Sequence, residues 1–174
     1  IEARIFDLCL GPDGILWAAC KMVNKGYGEL HRSADRGITW EKVIEGTVAN
    51  PILSLSSIVF AGESAAIVAG DGGSCVRLQS IGGDWWTTTL DPSVFLYRNL
   101  YGAAASGPGH FWIAAEGGMI FESEDLGDTW TARSLTTNRL WDIDFVGERG
   151  IVVGELVAFR TSDGGETWLE TAGP

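Results

Sequence analysis

Short apolar runs broken by glycine-rich polar turns recur along the whole chain. The densest runs, at 15–20, 66–70, 111–115 and 151–154, are apolar almost throughout, the pattern of a strand covered on both faces. Each follows another apolar run, at 5–10, 55–60, 100–105 and 140–145, across a turn carrying Gly11, Gly62, Gly107 or Gly147. A third extended run comes next, at 29–33, 75–79, 119–123 and 157–161. A fourth closes each unit, at 39–44, 86–90, 129–135 and 167–171. No stretch shows the periodicity of an amphipathic helix. The pattern predicts an all-β protein built from four units of four strands.

Between the third and fourth runs the chain repeats one motif, S/T-x-D-x-G-x-T-W. It is carried by Ser33, Asp35, Gly37 and Trp40, by Ser123, Asp125, Gly127 and Trp130, and by Thr161, Asp163, Gly165 and Trp168. A worn copy at 79–86 keeps only a glycine and, in this alignment, Trp86. The aspartate can accept hydrogen bonds from amides a few residues on, glycine supplies positive φ, and Thr-Trp re-enters a strand with the indole packed beneath its own turn. These aspartates and their partners are therefore expected to be structural and to lie on the rim, away from any ligand. The four tryptophans stand 46, 44 and 38 residues apart. A period near forty with frequent turn signals indicates β-propeller blades. The blades are placed at about 1–46, 47–91, 92–136 and 137–174 within one domain, starting on a first strand and ending on a fourth without strand exchange. Small inner residues, Ser56-Ser57 and Gly102-Ala103-Ala104-Ala105, favour closure as a four-bladed monomer. Two half-rings pairing into an eight-bladed dimer are the alternative.

Twenty-four glycines against five prolines suit many tight turns. A net charge of −11 argues against nucleic acid and anionic membrane as partners. No apolar run approaches the ~20 residues of a membrane-spanning helix. The chain opens on Ile1 rather than Met, so an upstream leader or further protein is expected. No C-x-x-C pattern links Cys9, Cys20 and Cys75. A two-residue turn at Asp13-Gly14 would set Cys9 opposite Ala18 and Cys20 opposite Asp7, roughly 7–8 Å apart diagonally and too far for a relaxed disulfide. All three are read as buried free thiols.

The segments 140–147, 151–155 and 159–168 are very similar to one repeat of a known family. The chain resembles the Asp-box (BNR-repeat) β-propellers, and within them the photosystem II assembly and stability factor family with its bacterial relatives. The resemblance covers nearly the whole chain, strongly in blades one, three and four and weakly in blade two. It implies the propeller fold and favours an extracytoplasmic location, periplasmic or secreted. It also admits carbohydrate chemistry, since sialidases and xyloglucanases share the repeat. A sialidase would bring an Arg-Ile-Pro start, an arginine triad and a Tyr/Glu nucleophile pair. Here Arg4-Ile5 runs into Phe6, arginines are sparse, and no such pair is assignable.

Other chemistry finds little footing. Asp142 and Asp144 share one strand face and are a formal carboxylate pair, read as the polar lining of a channel. No G-x-S-x-G elbow occurs, His31 and His110 fall in different blades, and the glycine run at 70–73 joins strand to strand. The more suggestive pattern lies at the ends of the second strands. Asp71, Glu116 and Glu155 occupy equivalent turns there, while the first blade has Cys20 and an insertion at 21–28. In a propeller these turns share a face with the inter-blade links at 46–53, 91–99 and 136–139, which bring Tyr97, Arg98 and Arg139, with Trp141 and Tyr101 just inside the next strands. Acids, arginines and aromatics together make a candidate binding surface. The expectation is a non-catalytic binding or assembly module that takes a protein or glycan and needs no cofactor and no metal. A glycoside hydrolase fragment or glycan-binding module is the alternative.

Overall fold

The computed structural model describes residues 3–49, 51–81 and 84–171, without the side chain of Ile81. It contains four antiparallel four-stranded sheets, each a simple meander. The first blade runs β1 (Ala3–Leu10), β2 (Leu16–Met22), β3 (Gly28–Ser33) and β4 (Glu41–Glu45). The second runs β5 (Ser57–Phe60), β6 (Ala65–Ala69), β7 (Cys75–Ile81) and β8 (Asp84–Thr89). The third runs β9 (Leu100–Gly107), β10 (His110–Ala115), β11 (Met119–Ser123) and β12 (Thr131–Ser134). The fourth runs β13 (Leu140–Val146), β14 (Arg149–Gly154), β15 (Ala158–Thr161) and β16 (Leu169–Glu170). The all-β, four-blade reading holds. Three short 3-10 turns, Asp71–Gly73, Pro92–Phe95 and Glu116–Gly118, are additions that strand patterning does not register.

Blades stack face to face through apolar layers because their central strands are apolar on both sides. Trp17, Ala19 and Leu30 of the first blade meet Ile58, Val68 and Leu78 of the second. Ile67 and Ala69 meet Phe111, Ile113 and Phe121 at the next seam. Trp112 and Ile120 meet Phe145, Val152 and Phe159 at the last. Inner strands lie side by side in the order β1, β5, β9, β13. Ser57 Oγ accepts from the Ala103 amide at 3.2 Å, and a Cβ on Gly102 would fall 2.4 Å from Asp142 Oδ1, so small inner residues do permit close approach.

Three expectations are corrected. The ring does not close on four blades: among the described residues β13 is not packed back against β1 as neighbouring inner strands are. Phe6, Leu8 and Leu10 are at least half exposed, and Ile151 and Val153 are also open to solvent. Three seams turn the chain through an arc, and Trp141, which would have to approach the first blade, instead packs sideways on Tyr101 at 4.9 Å between centroids. The tryptophan of the worn motif is Trp85, not Trp86. Trp85 packs edge-on against Trp17 and Phe60, whereas Trp86 is 63% exposed. Ile81 pairs with Asp84 across a turn shorter than the full motif, which shifts the inward position by one; Gly82 and Gly83 lie outside the described residues. The first hairpin does not turn on two residues. Leu10 pairs with Leu16, a register that puts Cys9 opposite Trp17 and Asp7 opposite Ala19, and a bulge between Ile5 and Asp7 then puts Cys20 opposite Ile5. The cysteines are free, but only Cys20 and Cys75 are buried; Cys9 is half-buried. Cys9 packs toward the second blade and Cys20 alternates to the other face of the sheet from Trp17 and Ala19.

Candidate functional site

The three complete motifs form the same closed loop. Ser33 Oγ donates to Asp35 Oδ1 at 2.8 Å and accepts from the Gly37 amide at 2.8 Å. Asp35 also accepts from the Thr39 amide at 2.8 Å and from Thr39 Oγ1 at 2.6 Å. Asp125 accepts from Ser123, from the Thr129 amide and from its hydroxyl, and Asp163 does the same with Thr161 and Thr167. Two consecutive residues take positive φ to allow this, Arg36-Gly37, Leu126-Gly127 and Gly164-Gly165. Trp40 and Trp130 then donate their indole N–H to the carbonyls of Gly37 and Gly127. Hydrogen bonds from the threonine hydroxyl and amide and from the Ser33 hydroxyl hold Asp35 near a pKa of about 2. Asp163 is held at about 2 by the hydroxyls of Thr161 and Thr167 and the Thr167 amide, and Asp125 is lowered for the same reasons. Both oxygens of each carboxylate are engaged within its own turn, which leaves these groups ionised but occupied.

These loops lie at the same end of the blades as the hairpins between first and second strands. The opposite end carries the turns after the second strands and the links between blades. Those turns and links, with the first residues of the strand that follows, carry the seven candidate residues. Asp71 opens the turn of the second blade, 4.0 Å from Lys21 Nζ of the first. The link at 91–99 is knitted to that turn: Gly73 N–H donates to the Arg98 carbonyl at 2.6 Å, and Gly72 N–H donates to Asn99 Oδ1 at 2.8 Å. It is knitted equally to the turn of the third blade, where the Glu116 amide donates to the Asn99 carbonyl at 2.9 Å and Glu116 Oε2 accepts from the Asn99 amide at 3.5 Å. A Cβ on Gly117 would fall 2.9 Å from Arg98 Nη1, so the guanidinium lies over a turn that only glycine leaves open. The Glu155 amide donates to the Arg139 carbonyl at 2.8 Å, and the Arg139 guanidinium lies 5.7 Å from the centre of the Trp141 ring.

The exposed members are Tyr97, Arg98, Arg139, Trp141 and Glu155, whereas Asp71 and Glu116 are half-buried. Leu96 and Tyr97 both take positive φ, at 53° and 55°, and this sharp reversal leaves Tyr97 68% exposed. Asn99 ties two blades and the link together and was not singled out from the sequence; its one signal is a polar residue directly before an apolar inner strand. Asp142 and Asp144 do share a face of β13, but each accepts a hydrogen bond from the next residue's amide, at 3.0 and 2.8 Å. A cleft of about 440 Å3 lies in the seam between the third and fourth blades at the motif end, lined in part by His110, Glu122, Glu124 and Arg133. Among the described residues no helix is long and apolar enough to cross a membrane.

Meandering four-stranded blades stacked around a common axis define a β-propeller, and solved structures agree. YCF48 from Cyanidioschyzon merolae superposes with a TM-score of 0.68 at 18% identity, covering 94% of this chain and 52% of that one. A structure of YCF48 bound to D1 peptide gives 0.54 at 18% identity, over 67% of this chain and 40% of that one. The WD40 repeats of RRP9 give 0.68 at 10% identity, over 97% and 53%. The chain thus spans about half the length of the propellers it matches, and at these identities the likeness is one of fold. No protein-family model matches the chain, and no curated protein matches it in sequence.

Proposed function

We propose that this chain is the binding part of a non-catalytic, Asp-box type propeller that holds an extended protein segment on the face formed by the second-strand turns and inter-blade links. The observation that carries this reading is the set Tyr97, Arg98, Arg139 and Trp141. The link bearing Tyr97 and Arg98 is held by hydrogen bonds from the second and third blades, while Arg139 is held by one from the turn of the fourth and lies over the ring of Trp141. Such side chains are enriched where proteins bind one another, and a braced link loses little freedom on binding. Likeness to YCF48, solved with a D1 peptide, points the same way. The four sheets are taken as blades of one domain, at about 1–46, 47–91, 92–136 and 137–174, with the ring completed by further blades or a second copy.

Fluorescence anisotropy with a labelled D1 peptide, alongside a panel of unrelated extended peptides and a glycan array, tests the proposal. Saturable peptide binding that falls about tenfold or more in Arg139→Ala and in Tyr97→Ala supports it, since anchors of this kind commonly carry ~2 kcal/mol or more. Glycan binding without peptide binding would move the assignment to a carbohydrate module. Peptide binding indifferent to both substitutions would place the site elsewhere.

A further inference from the structure

The cleft at the third seam has a composition that the repeat does not impose. His110 begins β10, Glu122 lies near the end of β11, and Glu124 is the variable residue of the motif turn. In the same register the first blade has Ile15, Arg32 and Ala34, and the fourth has Arg149, Arg160 and Ser162. Neither set offers an imidazole or a carboxylate. The third blade's combination therefore differs from both.

We propose that His110, Glu122 and Glu124 bind a divalent transition-metal ion of the zinc class. One donor atom from each residue lies within 4.8 Å of the other two, and His110 Nε2 is 3.0 Å from Glu122 Oε1. Bonds of ~2.0–2.2 Å to zinc in a tetrahedron require donor separations of about 3.4 Å, so a small adjustment of side chains seats the ion. Imidazole with two carboxylates is a borderline donor set that suits zinc better than calcium or magnesium, which favour all-oxygen shells. His110 also lies against Trp112, with ring centroids 5.4 Å apart and planes tilted by 32°. Across the cleft, Asp163 and Glu166 of the fourth blade add negative charge. Arg133 is the cation lining the same cleft, and its Nη1 is engaged by the carbonyls of Gly165 and Glu166 at 2.7 and 3.0 Å. The three residues line an open cleft, so water or a carboxylate from a partner can complete the shell. Binding replaces the hydrogen bond between His110 and Glu122 and needs Nε2 free of its proton, so affinity rises with pH.

The test is calorimetric titration of the untagged chain with zinc chloride near neutral pH and again about two pH units lower. The expected result is one ion per chain, bound more weakly at the lower pH. Loss of a mere outer-shell partner already costs ~10–100-fold, so Glu122→Gln and His110→Asn are each expected to weaken binding at least about tenfold. Glu124 is exposed, so Glu124→Gln gives a folded variant even if His110→Asn does not fold. Absence of zinc binding at micromolar concentrations, or binding that Glu122→Gln and Glu124→Gln both leave unchanged, would overturn the site.

Discussion

Replacing Phe95 by alanine probes how the candidate face is held. Phe95 ends the 3-10 turn Pro92–Phe95, whose first turn is capped by Asp91 accepting from the Ser93 amide at 2.9 Å. Its ring is fully buried in the seam between the second and third blades, 5.3 Å from Phe121 and 5.2 Å from Trp130 in near edge-on geometry. A phenylalanine that buries ~200 Å2 at ~25 cal/mol per Å2 contributes about 5 kcal/mol, an upper figure because the unfolded chain is not fully extended. Measured core truncations of this type cost ~3–5 kcal/mol, the range expected here. That is a large share of the ~5–15 kcal/mol that stabilises a typical domain. With a urea slope of ~1–3 kcal/mol per molar, the midpoint should fall by roughly 2 M at unchanged slope. Urea titration followed by tryptophan fluorescence measures this, with Trp130 itself at the lesion. Two residues after Phe95 the link presents Tyr97, so peptide affinity should fall with stability even though no binding residue was touched. A loss below about 1 kcal/mol would refute the claim that the link is anchored through the core.

Two further outcomes follow from the motif turns and the open arc. Asp35 and Asp163 titrate near 2 in the folded chain, against ~3.9 unfolded, so their stabilisation is fully present above about pH 4 and is lost as pH falls toward 2. The urea midpoint of the Asp35→Asn/Asp163→Asn variant should therefore decline less steeply than the parent's across that window, and parallel curves would contradict the assignment. The apolar positions left open on the first and fourth blades should make this 18.6 kDa chain self-associate, and a sedimentation mass that stays monomeric at high micromolar concentration would show those faces to be compatible with water.

Local signals made most of the fold legible. A turn needs its hydroxyl, aspartate, glycine and threonine within a few residues of one another, so the motif loops could be read directly as turns closed by the aspartate. The strands could be read because a blade covered on both faces must be apolar on both. The candidate face was assembled from topology alone, since antiparallel meanders force second-strand turns and inter-blade links to one end. Where local signals weakened, the reading slipped. Trp85 and Trp86 are adjacent, and only pairing with β7 decides which of them enters the core. The first hairpin contains Asp-Gly, yet the chain turns over Gly11–Ile15, with the Gly11 amide bonded to the Ile15 carbonyl. Asn99 draws its role from two turns brought to it from other parts of the chain. The donor group at His110, Glu122 and Glu124 exists because β10 and β11 pair in one particular register. Curvature belonged wholly to the tertiary structure. The angle between blades is set by the bulk of side chains meeting across each seam, Trp17 with Trp85 or Trp112 with Trp168, and that sum over separate layers gives an arc that small inner residues permit to bend but do not compel to close.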